Sequence, residues 1–262
     1  MARLAIVGGG RMGEALVGGL LDAGWARPDE LVVVERLPSR RAELAERFPG
    51  LALAEQPVPA DAAVLAVKPV DTIEAARAQA RAGAGRLLSI AAGVSLASLE
   101  AVVPATVAVV RAMPNTPALI GMGASAVAAG ANAGEDDMAW AEEVLGAVGT
   151  VVRVAEAHLD AVTGLSGSGP AYVFLFAESL VEAGVLVGLP RDVAEALAEQ
   201  TLRGSAELLA RSGEHPAQLR NAVTSPGGTT AAGLQALETG AFRAAILTAV
   251  QAATERARHL GA

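Results

Sequence analysis

A chain of 262 residues that is 52% hydrophobic and 18% charged can bury a sizeable core, and it lacks the composition of a disordered segment. Its formal net charge of −8 argues against nucleic acid as a partner, because phosphate contacts need a basic face. The absence of cysteine excludes disulfides, thiolate metal sites and cysteine nucleophiles, and His158, His215 and His259 are too widely spaced to suggest a metal site.

The N-terminus, MARLAIVGGGRMG, enters a strand-like run at once. It has no apolar signal core with a cleavage site, so a cytoplasmic protein is expected. The strand Leu4–Val7 leads directly into Gly8-Gly9-Gly10-Arg11-Met12-Gly13, which matches G-x-G-x-x-G, and a helical pattern over Gly10–Ala23 follows. In that setting the three key glycines, Gly8, Gly10 and Gly13, allow a tight turn, close approach of a pyrophosphate and tight helix–strand packing. The next strand, Leu31–Val34, ends at Glu35, where a carboxylate can bind an adenosine ribose hydroxyl and so favours NAD. Arg36, with Arg40 and Arg41 close behind, is suited to a ribose 2′-phosphate and so favours NADP. These residues by themselves leave the choice open.

The alternation continues with helical patterns over Ser39–Arg47, Val70–Ala82 and Glu135–Ala147. Candidate strands are Ala62–Val67, Leu87–Ala91, Val107–Arg111, Gly123–Ala129 and Val151–Val154. Nearly all-apolar strands separated by helices predict a parallel sheet covered on both faces. Lys68, the only lysine, follows a strand and precedes Pro69, which puts it at the carboxyl end of the sheet, where α/β ligands bind. Met113-Pro114-Asn115-Thr116-Pro117 follows another strand, and Asn115 offers an amide suited to a ribose or a carboxamide.

Beyond about Ala155 the strand pattern stops. Helices are predicted over Pro170–Gly188, Pro190–Ser212, Pro216–Ala222, Thr230–Glu238 and Phe242–His259. The apolar stretch Ala171–Leu189 carries Glu178 and Glu182 and reads as a buried helix rather than a membrane span. Gly167-Ser168-Gly169-Pro170 reads as a flexible entry to that helix, and Gly164-Leu165-Ser166-Gly167-Ser168 fails the hydrolase pattern G-x-S-x-G. So many apolar helices suggest surface buried against a partner subunit. Among them Thr224-Ser225-Pro226-Gly227-Gly228-Thr229-Thr230 is a polar, glycine-rich interruption. Thr229 or Thr230 could cap the following helix, whose first N–H groups favour an anion.

In order along the chain, GGGRMG, AVKP at Ala66–Pro69, RAMPNTPA at Arg111–Ala118, SGSGPAY at Ser166–Tyr172 and TSPGGTTAAGL at Thr224–Leu234 resemble the pyrroline-5-carboxylate reductases. The resemblance spans essentially the whole chain. It implies reduction of 1-pyrroline-5-carboxylate, a cyclic imine, to L-proline by hydride from NAD(P)H, with NADP(H) favoured and NAD(H) use common. It also implies a Rossmann-like α/β domain with a mostly parallel sheet over residues 1–155. An all-helical dimerisation and substrate-binding domain would occupy residues 156–262. Homodimers that can assemble into rings are expected, with neither nucleic acid nor a membrane as partner.

By position, Thr230 and Ser225 would be catalytic and Gly227, Gly228 and Thr229 would bind substrate. Thr230 would hydrogen-bond the imine nitrogen, while Ser225 and the backbone of Gly228–Thr230 hold the carboxylate. Gly8, Gly9, Gly10, Arg11, Met12, Gly13, Glu35, Arg36, Ala66, Val67, Lys68, Pro69, Ala92, Gly93 and Asn115 would line the cofactor. A β-hydroxyacid dehydrogenase-like enzyme is the nearest alternative, but that chemistry uses a lysine on the helical domain and none follows Lys68. A non-catalytic NADP(H) sensor is the other alternative, and it would not need the hydroxyl-rich loop.

Overall fold

The computed structural model describes residues 2–260. In chain order, β1 (Ala2–Val7), α1 (Arg11–Asp22), β2 (Leu31–Val34), α2 (Pro38–Arg47), β3 (Ala52–Ala54), β4 (Ala60–Leu65) and α3 (Pro69–Arg81) come first. They are followed by β5 (Arg86–Ser89), α4 (Leu96–Glu100), β6 (Ala108–Met113), β7 (Gly123–Ala129), α5 (Glu135–Gly146) and β8 (Gly149–Arg153). The eight strands form one sheet in the order β3-β2-β1-β4-β5-β6-β7-β8. Every neighbouring pair is parallel except β6 and β7, where Val110 faces Ala129 and Met113 faces Ala126.

Side chains alternate across this sheet into two buried layers. Leu4, Ile6, Leu31, Val33, Val64 and Leu88 join one layer, while Ala5, Val7, Val32, Val34, Leu65 and Leu87 join the other. Both faces are covered, which is why the central strands carry apolar residues at successive positions rather than at alternate ones. The sheet is mostly parallel, as the alternation predicts. The topology also locates a crevice. The chain leaves β1 for β2 on one side, and β4 pairs on the other, so the carboxyl ends of β1 and β4 border a switch point. Register brings these ends level, with Val7 opposite both Val34 and Leu65.

Some boundaries differ from expectation for local reasons. β4 ends at Leu65 rather than Val67 because the chain must turn before Pro69, the first residue of α3. Lys68 is held extended at φ −63°, ψ 150°, as a residue before proline prefers. The edge strand β3 and the five-residue helix α4 were not expected, being too short for a period to register. α4 is set by a local cap, with the Ser95 hydroxyl accepting the Ser98 N–H at 3.2 Å.

The chain folds as two compact units. One runs to Ser168 and takes up the chain again from Gln251, and the other is Gly169–Val250. In the first unit, α6 (Leu159–Val162) widens into a π-turn over Thr163–Gly167, closed by Ser168 N–H donating to Thr163 C=O at 2.8 Å. The expected flexible entry is therefore an ordered turn. The second unit contains α7 (Gly169–Leu186), α8 (Arg191–Ser212), α9 (Pro216–Ala222), α10 (Thr229–Thr239) and the start of α11 (Phe242–Leu260). α7 and α8 approach closely: a Cβ on Gly184 would lie 2.9 Å from the Ala194 Cβ. The buried-helix expectation is not met within one chain, since α7 has no buried residue and Phe174 is 64% exposed. Among the described residues, Glu156–Leu186 is the helical stretch long and apolar enough to cross a membrane by length and composition.

Candidate functional site

The carboxyl ends of β1 and β4 meet a loop in which three glycines do three different things. Gly8 has φ +105°, and a Cβ there would lie 2.5 Å from the Ala66 carbonyl oxygen. Gly13 brings α1 against that turn, since its Cβ would lie 2.0 Å from the Gly8 oxygen. Gly10 is different: a Cβ there would meet nothing within 4 Å, and the residue is the N-cap of α1 without a side-chain cap. A bare backbone facing open space at a helix N-terminus suits a phosphate anion. The cradle fits a dinucleotide pyrophosphate.

A cavity of about 620 Å³ opens beside it, within the usual range for small-molecule sites. Gly8, Gly10, Glu35, Arg36, Ala66, Val67 and Lys68 line it, all anticipated from sequence. The other expected cofactor residues stand elsewhere. Gly9 is buried against Leu44 and Glu35, Met12 packs on the core, and Arg11 borders a separate hollow with Glu14 and Arg47. Pro69 starts α3, and Ala92-Gly93 follow β5, with Gly93 at φ +76°. The walls also include Glu55, Pro57 and Asp71, which were missed. For Asp71 a signal existed, since it falls in the first turn of the helix opened by Lys68-Pro69.

At the end of β2 the charged side chains divide their work. Glu35 accepts Gly9 N–H at 2.9 Å through Oε2 and Leu37 N–H at 2.9 Å through Oε1. Its carboxylate therefore fastens the glycine loop to the start of α2. The sequence offered Arg40 and Arg41 as phosphate ligands, and the structure corrects that. Arg40 donates to Gly9 C=O at 2.6 Å and pairs with Glu14 and Glu43. Its hydrogen bonds to Glu43, then to Glu14, hold its guanidinium pKa above the ordinary arginine value. Arg41 donates to the carbonyls of Glu35 (2.6 Å) and Arg36 (2.9 Å). Arg36 remains on the cavity wall, its side chain 74% exposed and 3.2 Å from Asp71.

Asn115 is likewise engaged by the scaffold. Its Oδ1 accepts Ala124 N–H at 2.8 Å, and its Nδ2 donates to Ser166 C=O at 3.0 Å, joining the loop after β6 to β7 and to the π-turn. Nearby, buried Arg111 donates to Glu156 at 2.9 Å, and the same Glu156 oxygen accepts Leu96 N–H at 2.7 Å.

In the second unit, Ser225-Pro226-Gly227-Gly228 forms a β-turn closed by Gly228 N–H donating to Ser225 C=O at 3.1 Å. Gly227 has φ +68°, the position of a type II turn that favours glycine, with Pro226 preceding it. Gly228 is the N-cap of α10 and no side chain caps the helix, so the expected capping by Thr229 or Thr230 does not occur. Both threonines lie in the first turn, and a Cβ on Gly228 would lie 2.3 Å from the Ser225 hydroxyl. The turn thus presents Ser225, the backbone of Gly227 and Gly228, and the first turn of α10 together. Among the described residues no group of His, Asp or Glu is arranged to hold a metal ion.

The family model described as pyrroline-5-carboxylate reductase dimerisation matches residues 156–260, and that described as NADP oxidoreductase coenzyme F420-dependent matches residues 3–93. The pyrroline-5-carboxylate reductase of Synechocystis is 45% identical over 264 residues, covering 99% of this chain and 98% of that protein. The solved pyrroline-5-carboxylate reductase of Coxiella burnetii superposes with a TM-score of 0.93 at 34% identity, covering 100% of this chain and 99% of that one. The Plasmodium falciparum pyrroline carboxylate reductase, solved with NADP bound, gives 0.87 at 31% identity, covering 100% and 98%.

Proposed function

The chain belongs to the pyrroline-5-carboxylate reductase family, and we propose that it reduces 1-pyrroline-5-carboxylate to L-proline with NADPH, NADH serving as a second donor. The observation that carries this reading is the 45% identity to a named reductase across 99% of the chain, a span that includes both the glycine cradle and the Thr224–Thr230 turn. The helical segment is a dimerisation domain by its family match.

On this reading the individual residues take the following roles. We divide the chain by element type into a cofactor domain over residues 1–155 and a helical domain over 156–262, a boundary that precedes the break between the compact units at Ser168. Within Gly8–Gly13, the backbone at Gly8 and Gly10 holds the pyrophosphate, with Gly10 giving the closest approach and Gly13 seating α1 against the turn. Arg36 holds the adenosine 2′-phosphate, and Ala66–Pro69, Ala92-Gly93 and Asn115 line the remainder. In the helical domain the substrate carboxylate sits on Ser225 and the first N–H groups of α10, where the helix dipole stabilises an anion by roughly 0.3–1 kcal/mol at the surface. The Thr230 hydroxyl accepts the N–H of the protonated imine and fixes the ring.

The bound nicotinamide supplies the hydride. A protonated imine is already electrophilic, so the protein needs to orient the carbon and exclude water more than to supply a strong acid or base. A site built of hydroxyls and backbone donors is sufficient for that. The enzyme works as a homodimer, with rings of dimers as the larger assembly, in the cytoplasm and apart from nucleic acid or membranes. The test follows oxidation of NADPH and of NADH with the imine as the only acceptor. Imine-dependent oxidation is expected, and no rate with either cofactor would sink the reading.

A further inference from the structure

We propose that Asp71 is a specificity-determining residue that competes with the cofactor's 2′-phosphate for Arg36 and so keeps NADH usable. The inference rests on the reading above that Arg36 holds the 2′-phosphate. Arg36 follows the end of β2, and Asp71 lies in the first turn of α3, which follows β4; β2 and β4 flank β1 on opposite sides. Their side chains meet at 3.2 Å across the cavity that both line. Both remain open to solvent, at 74% and 38%, so the pair is weak and exchangeable.

The surrounding charges single out this carboxylate. Glu35 is spent on the N–H groups of Gly9 and Leu37. Glu55 pairs with Arg41 at 3.3 Å, and Glu74 with Arg77 at 2.6 Å. Asp71 is the acidic group on the cavity wall whose partner is Arg36. A dianion added at Arg36 therefore meets the Asp71 carboxylate, whereas Glu55 and Glu74 already face Arg41 and Arg77. A 2′-phosphate must take Arg36 from Asp71 while standing close to that carboxylate. A 2′-hydroxyl faces neither demand.

The experiment titrates the full-length protein with 2′,5′-ADP and with 5′-AMP by calorimetry, for wild type, Asp71→Asn, Arg36→Ala and the double variant. Asp71→Asn should tighten 2′,5′-ADP about two- to fivefold and leave 5′-AMP nearly unchanged. The kcat/KM ratio of NADPH to NADH should rise by a similar factor. Asp71→Ser, which keeps a hydrogen-bonding side chain in the helix's first turn, should reproduce the shift if Asn perturbs folding. Arg36→Ala should weaken 2′,5′-ADP and abolish most of the Asp71→Asn effect. If Arg36→Ala leaves 2′,5′-ADP unchanged, the Arg36 reading itself fails. If Arg36 matters but Asp71→Asn gives no gain, or gives the same gain without Arg36, competition by Asp71 is overturned.

Discussion

A methyl group added at Gly13 would lie 2.0 Å from the Gly8 carbonyl oxygen, whereas one added at Gly10 would meet nothing within 4 Å. Gly13→Ala should therefore cost about 1–3 kcal/mol of stability or more, because α1 must move off β1. Gly10→Ala should stay within about 1 kcal/mol of wild type, as expected for a helix N-cap, yet raise the cofactor KM by crowding the phosphate. Denaturant titration and steady-state kinetics on the two variants separate these roles, and equal losses of stability would contradict them. At the proposed substrate turn, Thr230→Ala should lower kcat/KM by the equivalent of about 1–3 kcal/mol through loss of the proposed hydrogen bond to the imine. An unchanged value would remove Thr230 from the site. The glycines were legible because backbone geometry dictates their spacing. The occupation of Glu35, Arg40 and Asn115 was not, since their partners Gly9, Glu14 and Ser166 depend on how the chain closes.

Elements with an apolar run or an opening proline stood out in the sequence, and β2, α9 and β7 occur over the expected residues. Short ones did not: β3 is held by pairing with β2, and α4 by the Ser95 cap. The π-turn over Thr163–Gly167 was hidden for another reason. Its two glycines and one serine look like a loop, but the Asn115 Nδ2 donates to Ser166 C=O and a Cβ on Gly167 would press 2.7 Å from the Met113 Cε. A further tie joins β8 to α5, where Arg153 pairs with Glu135 and Glu142. Hydrogen bonds from Arg153 hold both carboxyls below the ordinary glutamate range. The stability they add is present above the unfolded-state glutamate pKa and is lost as pH falls through the lower folded values. Arg153→Met should accordingly flatten the acid limb of an unfolding free-energy profile, and an acid limb as steep as that of wild type would show that the tie carries no proton linkage.

For the molecule as a whole, the sequence indicated a sheet domain followed by helices, and the surface of those helices shows what one chain leaves unfinished. Phe174, Leu186 and Leu247 are 64%, 87% and 72% exposed, more apolar surface than a solitary helical unit carries comfortably. A dimerisation domain accounts for that surface by covering it with a second copy. Both the nucleotide cradle and the hydroxyl-bearing turn serve one proposed reaction, in which each imine ring takes one hydride. The measurement that tests this most directly counts products: NADPH consumed against L-proline formed, with 1-pyrroline-5-carboxylate supplied. The account predicts one proline for each NADPH oxidised and no oxidation without the imine. Oxidation that proceeds without the imine, or that yields no proline, would contradict it.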